Sequence, residues 1–263
     1  MMHRTAYAVA AIAAISGVAN ASFTYLATNG STLIRVNPDT SVEMFELGDD
    51  IVGQAVMNDG TILAFSNTRG PNGYEVYELT DPTGTPTLSM IDDDRQDRLY
   101  TYVDVDGQLV GVTGSGMANI DADYNRDGGF DGLGFSGGVG GAAYDPASGT
   151  FYVLSGNDNL YTVDLDQADR TATLLGDTGV DVQHMGLEFA GGVLHAAIAS
   201  TATNRFEVGT IDTTTGAFNA LVTLDLADEL SALGPVSLSV VPTPGAGMLA
   251  GVGLLMGFRR RRN

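Results

Sequence analysis

The residues best placed to do chemistry lie in the stretch Asp121-Ala122-Asp123-Tyr124-Asn125-Arg126-Asp127-Gly128-Gly129-Phe130-Asp131. From Asp123 it reads D-x-N-x-D-G, so oxygen-bearing side chains alternate and a glycine follows them. That spacing lets several oxygens converge on one cation when the glycine turns the chain, and calcium takes roughly six to eight of them. Asp121, Asp123, Asn125, Asp127 and Asp131 are therefore the candidate ligands of a Ca2+ site, the one cofactor the sequence suggests. The competing reading is a solvated Asp/Gly turn, common in a chain this acidic.

Other reactive groups are scarce. Gly132-Leu133-Gly134-Phe135-Ser136-Gly137 matches G-x-G-x-x-G by letter, but it lies in a glycine-rich run and opens no helix. It reads as a flexible loop rather than a dinucleotide cradle. Besides His3 the histidines are His184, which follows a turn at Gly179 to Asp181, and His195, which interrupts an apolar strand between Leu194 and Ala196. Both read as surface or hydrogen-bonded strand residues rather than general bases. Neither G-x-S-x-G nor H-E-x-x-H occurs, and cysteine is absent, which excludes disulfides, a thiol nucleophile and Cys-ligated metal. Acids are too numerous to single out a glycosidase pair, so no catalytic residue is assigned. The run Asp92-Asp93-Asp94-Arg95-Gln96-Asp97 reads as a solvated connection between structural units.

Charge narrows the partners. Lysine is absent, and Arg4 with Arg259, Arg260, Arg261 and Arg262 takes five of the 12 arginines to the chain ends. Between the ends seven arginines face 32 acids, a net charge of −25. Such a surface repels nucleic acid and anionic lipid, and it favours solubility. Nucleic acid is excluded as a partner.

The elements that must position these residues are short strands. Apolar–polar alternation ends in a turn residue at Val36-Asn37, Leu79-Thr80, Ile120-Asp121, Val163-Asp164 and Ile211-Asp212, at intervals of 43, 41, 43 and 48. The clearest copy, Gly141 to Gly179, holds four strand-like runs and three turns. Glycine, at 35 of 263 residues, supplies the turns. Four-stranded units at this spacing predict an all-β fold, a β-propeller of about five blades, with a β-sandwich as the alternative. The run Phe23-Thr24-Tyr25-Leu26 begins a first unit of only three strands, and Val236 to Val240 is left over. Pairing the two would complete that unit and close the ring. The Tyr144-Asp145-Pro146 and Leu160-Tyr161-Thr162-Val163-Asp164 stretches resemble the loose repeat of exported propellers.

Both ends carry addresses. His3 and Arg4, the apolar run Ala6 to Ser16, and Ala19-Asn20-Ala21 as a small-x-small cleavage site predict a secretory signal helix over 1–21. The domain then spans 22–240. Over 241–263, Val241-Pro242-Thr243-Pro244 precedes the uncharged stretch Gly245 to Phe258, which predicts a short hydrophobic helix, and the cluster Arg259 to Arg262. About 14 helical residues span only ~21 Å, short of a bilayer core of ~30 Å, so the segment reads as a transient membrane stop with its arginines at the cytoplasmic face.

This tail resembles the PEP-CTERM sorting signal, whose pattern is Val-Pro-Glu-Pro, an apolar helix and a basic tail; here Thr243 stands where the commonest form has Glu. The resemblance implies cleavage by an exosortase-type protease in Gram-negative bacteria that make exopolysaccharide. The Asp123–Asp131 stretch resembles the calcium loop of EF-hands and dockerins, departing at the twelfth place, where Gly134 replaces the bidentate carboxylate. The function expected is therefore an exported, surface- or matrix-associated, non-enzymatic protein that meets polysaccharide or surface proteins. A secreted carbohydrate-active hydrolase or lyase, with a carboxylate site on a propeller face, is the alternative.

Overall fold

The computed structural model describes residues 23–114, 116–135, 137–165, 170–200, 202–225 and 236–243. The expected cleavage residues Ala19 and Ala21, Pro244, the Arg259–Arg262 cluster and both expected terminal helices lie outside the described residues. Within them the protein is all-β, with 18 strands, and no helix is long and apolar enough to cross a membrane.

The strands β1 (Phe23–Val36), β2 (Val42–Val56), β3 (Ile62–Arg69), β4 (Tyr74–Thr80) and β5 (Thr87–Arg95) belong to one sheet. A second comprises β6 (Thr101–Val105), β7 (Gln108–Thr113), β8 (Gly116–Ile120) and β9 (Arg126–Gly132). The third holds β10 (Val139–Asp145), β11 (Thr150–Ser155), β12 (Asn159–Val163) and β13 (Ala172–Asp177), and the fourth β14 (His184–Ala190), β15 (Val193–Ser200), β16 (Arg205–Ile211) and β17 (Phe218–Asp225). The closing strand β18 (Val236–Pro242) pairs antiparallel with β1, Phe23 opposite Pro242 and Asn29 opposite Val236. The first sheet is thus six-stranded, in the order β18-β1-β2-β3-β4-β5. By hydrogen bonding there are four antiparallel sheets, arranged as a β-propeller, where about five were expected. The difference lies entirely in the first sheet, because β1 and β2 each run on past the point where they change partners. Residues 23–29 of β1 pair with β18, and residues 30–36 pair with β2.

The innermost strands touch one another in a closed cycle: β18 with β2, β2 with β6, β6 with β10, β10 with β14, and β14 with β18. Their approach is close. A Cβ on Gly186 in β14 would lie about 2.5 Å from the backbone of Ser237 and Leu238 in β18, so only glycine fits there. Hydrophobic clusters fill the wedges between sheets. Tyr25, Ile34, Phe206 and Leu238 are buried in one, and Val112, Phe151 and Val153 in another.

Turn chemistry follows the sequence. Asp106-Gly107 and Gly191-Gly192 have positive φ at both positions (52° and 91°; 59° and 80°), the geometry of two-residue hairpins whose twist matches the strands. Longer turns are closed by aspartates. Asp59 Oδ1 accepts from the Thr61 amide, Asp145 Oδ1 from Ala147, and Asp212 Oδ1 from Thr214 and Thr215, at 2.7–3.3 Å. The Thr61 amide chiefly holds the Asp59 carboxyl below its ordinary range, and for Asp212 the Thr214 hydroxyl, at 2.6 Å, does so ahead of the amides.

Two local expectations change. The Asp92–Asp97 run is no mere solvated connection: β5 extends through Arg95, which is fully buried. The strand pattern also runs past the expected domain end at 240, because β18 includes Val241 and Pro242. Pro242 is tolerated at the strand's last position, where a missing amide costs little.

Candidate functional site

Of the five candidate calcium ligands, Asp121, Asp123 and Asn125 lie in one turn, and Asp127 and Asp131 lie in the strand that follows it. Asp121 opens a tight turn between β8 and β9, and its Oδ1 accepts from the amides of Asp123 (3.0 Å) and Asn125 (2.8 Å). Asn125 spends its amide group within the protein, donating to the Asp123 carbonyl and accepting from the Gln96 amide. Asp127 and Asp131 sit in β9, where four residues of strand span about 13 Å. Arg170 Nη1 lies 3.3 Å from Asp131 Oδ2. The glycine pair that should turn the chain around an ion instead lies in a strand. The neighbouring acids Asp92 and Asp93, with Asp123, push the Asp94 carboxyl above its usual range, Asp92 most strongly. Among the described residues, no group of three or more His, Cys, Asp or Glu is arranged to hold a metal ion.

A different place gathers polar groups. Where the innermost strands begin, at one end of the propeller axis, lies an open cavity of about 440 Å3. Its apolar wall consists of Val52, Val139, Met185 and Val236, one each from β2, β10, β14 and β18. The polar wall consists of Asn67 from β3, Arg98 and Tyr100 from the β5–β6 connection, Gln183, and His184 at the start of β14. An apolar wall with a few converging polar groups is the usual make-up of a small-molecule site, and the volume falls within its range of roughly 300–1,000 Å3.

In this wall the Arg98 guanidinium and one atom of Asn67 are unpaired. Arg98 makes no ion pair and no hydrogen bond among the described residues; its guanidinium lies 5.4 Å from the Tyr100 ring centre. Asn67 donates from Nδ2 to Asp50 Oδ2 at 2.6 Å, which fixes its amide orientation, and its buried Oδ1 accepts nothing. Burial lowers the pKa of His184 below the ordinary imidazole value, so its ring is neutral at pH 7. Sequence reasoning read His184 as unremarkable and did not single out Asn67, Arg98, Tyr100 or Gln183. The usable signal was an arginine two residues from a tyrosine in a chain with few cations.

Two further buried side chains, Arg95 and His195, are held by the fold itself, although Arg95 Nε, like Gln54 Nε2, has no partner among the described residues. Arg95 donates to the carbonyls of Ser66 and Asp97 and to the Tyr102 hydroxyl, and the rings of Phe65, Tyr74 and Tyr102 surround its guanidinium at 5.2–5.5 Å. His195 is fully buried against Phe23 and Tyr25. Its Nε2 donates to the Ala190 carbonyl and its Nδ1 accepts from the Tyr25 hydroxyl, both at 3.2 Å, which defines one neutral tautomer. Burial drops its pKa to about 4. Two carboxylates, Asp49 and Glu75, both approach the Tyr77 hydroxyl, whose pKa is raised chiefly by burial.

No protein-family profile matches the chain, and no curated protein matches it. Among solved structures it is similar to hydrazine synthase of Kuenenia stuttgartiensis, with 16% identity and a TM-score of 0.43 over 66% of this chain. The chain spans about half the length of that protein, 49%. A likeness this distant carries no argument about chemistry.

Proposed function

We propose that the protein is an exported, non-enzymatic β-propeller that binds extracellular polymer at its axial cavity and reaches the cell surface through its C-terminal sorting segment. The observation carrying this reading is the cavity's position relative to the chain ends. The cavity lies where β18 begins, at Val236, whereas Phe23 and Pro242 are paired at the other end of β18. A propeller held through residues following Pro242 would present the cavity away from its attachment.

The six-stranded sheet is read as two blades, making five. Residues Leu26 and Leu33 of β1 cluster with Ile62 of β3 and Leu79 of β4, strands that a flat sheet would hold well apart. Arg35 of β1 pairs with Glu43 and also donates to the carbonyls of Pro82 and Gly84, beyond β4. Both contacts support a sheet folded on itself at β2. The cycle of five innermost strands supports the same count. On this reading β18 supplies the missing strand of the first blade and leaves no unpaired inner edge.

The enzyme alternative has one specific foothold, the Asp49–Glu75 carboxylates around Tyr77. The full-length chain, expressed in an exosortase-bearing Gram-negative host, separates the two. The expected outcome is a surface-associated product that binds extracellular polymer without shortening it. Cytoplasmic retention, or polymer cleavage that Asp49→Asn abolishes, would overturn this reading.

A further inference from the structure

We propose that the axial cavity is a site for a hexuronic acid, a sugar carrying one carboxylate, with Arg98 as the carboxylate-binding residue. The inference deepens the polymer-binding reading and rests on it for its biological setting, though not for its chemistry.

The case begins with scarcity. Seven arginines serve a body bearing 32 acids, and Arg98 is the one of them that lines the cavity. Arg35, Arg126 and Arg170 have acidic partners, and Arg95 is buried among carbonyls and rings. Arg98 stands in the cavity wall without an ion pair or hydrogen bond among the described residues, its guanidinium over the Tyr100 ring. A planar guanidinium presents paired donors that match a carboxylate, and it is the one positive charge in the wall because His184 is neutral. A single local cation in so negative a surface suits one anionic group, not a run of them, since the surrounding field repels a dense polyanion.

The rest of the wall selects the body that carries the carboxylate. Asn67 Oδ1 is a buried acceptor without a donor, and a ligand hydroxyl supplies one. Tyr100 is 40% exposed and offers a ring face, and Val139, Val236 and Met185 continue the apolar side, which suits the C–H face of a pyranose. Acetate or phosphate would satisfy Arg98 but leave Asn67 and the apolar wall unused. Neutral sugar would satisfy those and leave Arg98 unpaired. A hexuronate answers all three.

Titration calorimetry on the purified full-length chain, with D-glucuronate, D-glucose, the methyl ester of D-glucuronate, acetate and inorganic phosphate as probes, tests the assignment. Glucuronate should bind at least tenfold more tightly than glucose or the ester, and acetate and phosphate should bind no better than glucose. Arg98→Gln should remove that tenfold preference with unchanged Tm, since the residue is exposed, and Arg98→Lys should restore part of it. Glucuronate and an acidic oligosaccharide ending in it distinguish a free sugar acid from a polymer terminus: equal affinity places recognition in the terminal residue alone. Phosphate binding as tight as glucuronate, or an affinity that Arg98→Gln leaves intact, overturns the proposal. Absence of glucuronate binding while polymer is still bound overturns the ligand class and leaves the polymer-binding reading standing; absence of both removes both.

Discussion

At the outer turns, Asp59, Asp121, Asp145 and Asp212 each direct a carboxylate oxygen back onto amides two to four residues further along the chain. At the axial cavity, Arg98 and Asn67 Oδ1 find nothing within the described protein to bind. The two regions use polar side chains for opposite ends. A turn needs its amides answered because strand ends leave them without ladder partners, and a carboxylate answers two at once. A recognition site keeps groups unanswered so that a ligand completes them. Abundance therefore points to structure in this chain, and an unpartnered group in a cavity wall points to function.

Arg95 and Arg98 put this contrast three residues apart, and substituting them should give the largest difference. Arg95→Ala leaves the Ser66 and Asp97 carbonyls and the Tyr102 hydroxyl short of donors and opens a cavity among three rings. It should cost about 2–5 kcal/mol in urea unfolding. Arg95→Lys should recover less than half, because one ammonium cannot span these acceptors. Arg98→Gln in the same assay should change nothing. Equal effects at both positions would break the distinction between an internal and an outward-directed arginine.

Two titratable groups away from the cavity sharpen it by pH. His195, with its pKa near 4 in the folded chain and about 6.5 unfolded, binds its proton more readily when unfolded. Stability from its neutral packing is complete above pH 6.5 and is lost as pH falls towards 4, by up to about 3 kcal/mol. Its cross-strand neighbour Glu188 acts the other way. Glu188 is half-buried, and desolvation, aided by Asp104, raises its carboxyl to about 8, so the folded state holds the proton and stability declines as pH rises from 4.5 towards 8. His195→Phe should flatten the acid limb of a Tm–pH curve and Glu188→Gln the neutral limb, each leaving the other in place.

The fold was legible where local chemistry decides it. The four strand-like runs expected between Gly141 and Gly179 are β10, β11, β12 and β13, and Val236 to Val240 does close against β1. The sheet count was not legible, since whether β1 and β2 continue through a change of partner depends on contacts far along the chain. The cavity was hidden for a related reason. Val52, Asn67, Arg98, Val139, His184 and Val236 are spread over most of the sequence, and only the radial arrangement brings them together. A motif search favours contiguous residues, so it found the Asp121–Asp131 stretch instead.

That stretch gives the smallest expected effects. Asp121 occupies the repeat position that Asp212 occupies two units later, the turn residue after Ile120 and Ile211 respectively. Both carboxylates accept from two downstream amides at comparable distances. If each is a turn-closing residue and nothing more, Asp121→Ala and Asp212→Ala should lower Tm by the same small step. Millimolar calcium should move the wild-type Tm by less than about 1 °C, because an ion that binds the folded state with useful affinity would raise it by mass action. Chelation should be equally silent. A calcium-dependent rise that Asp123→Ala abolishes and Asp212→Ala does not would separate the two turns. It would mean that β9 rearranges around the ion and that Asp121, Asp123, Asn125, Asp127 and Asp131 form a site the metal-free chain does not hold together.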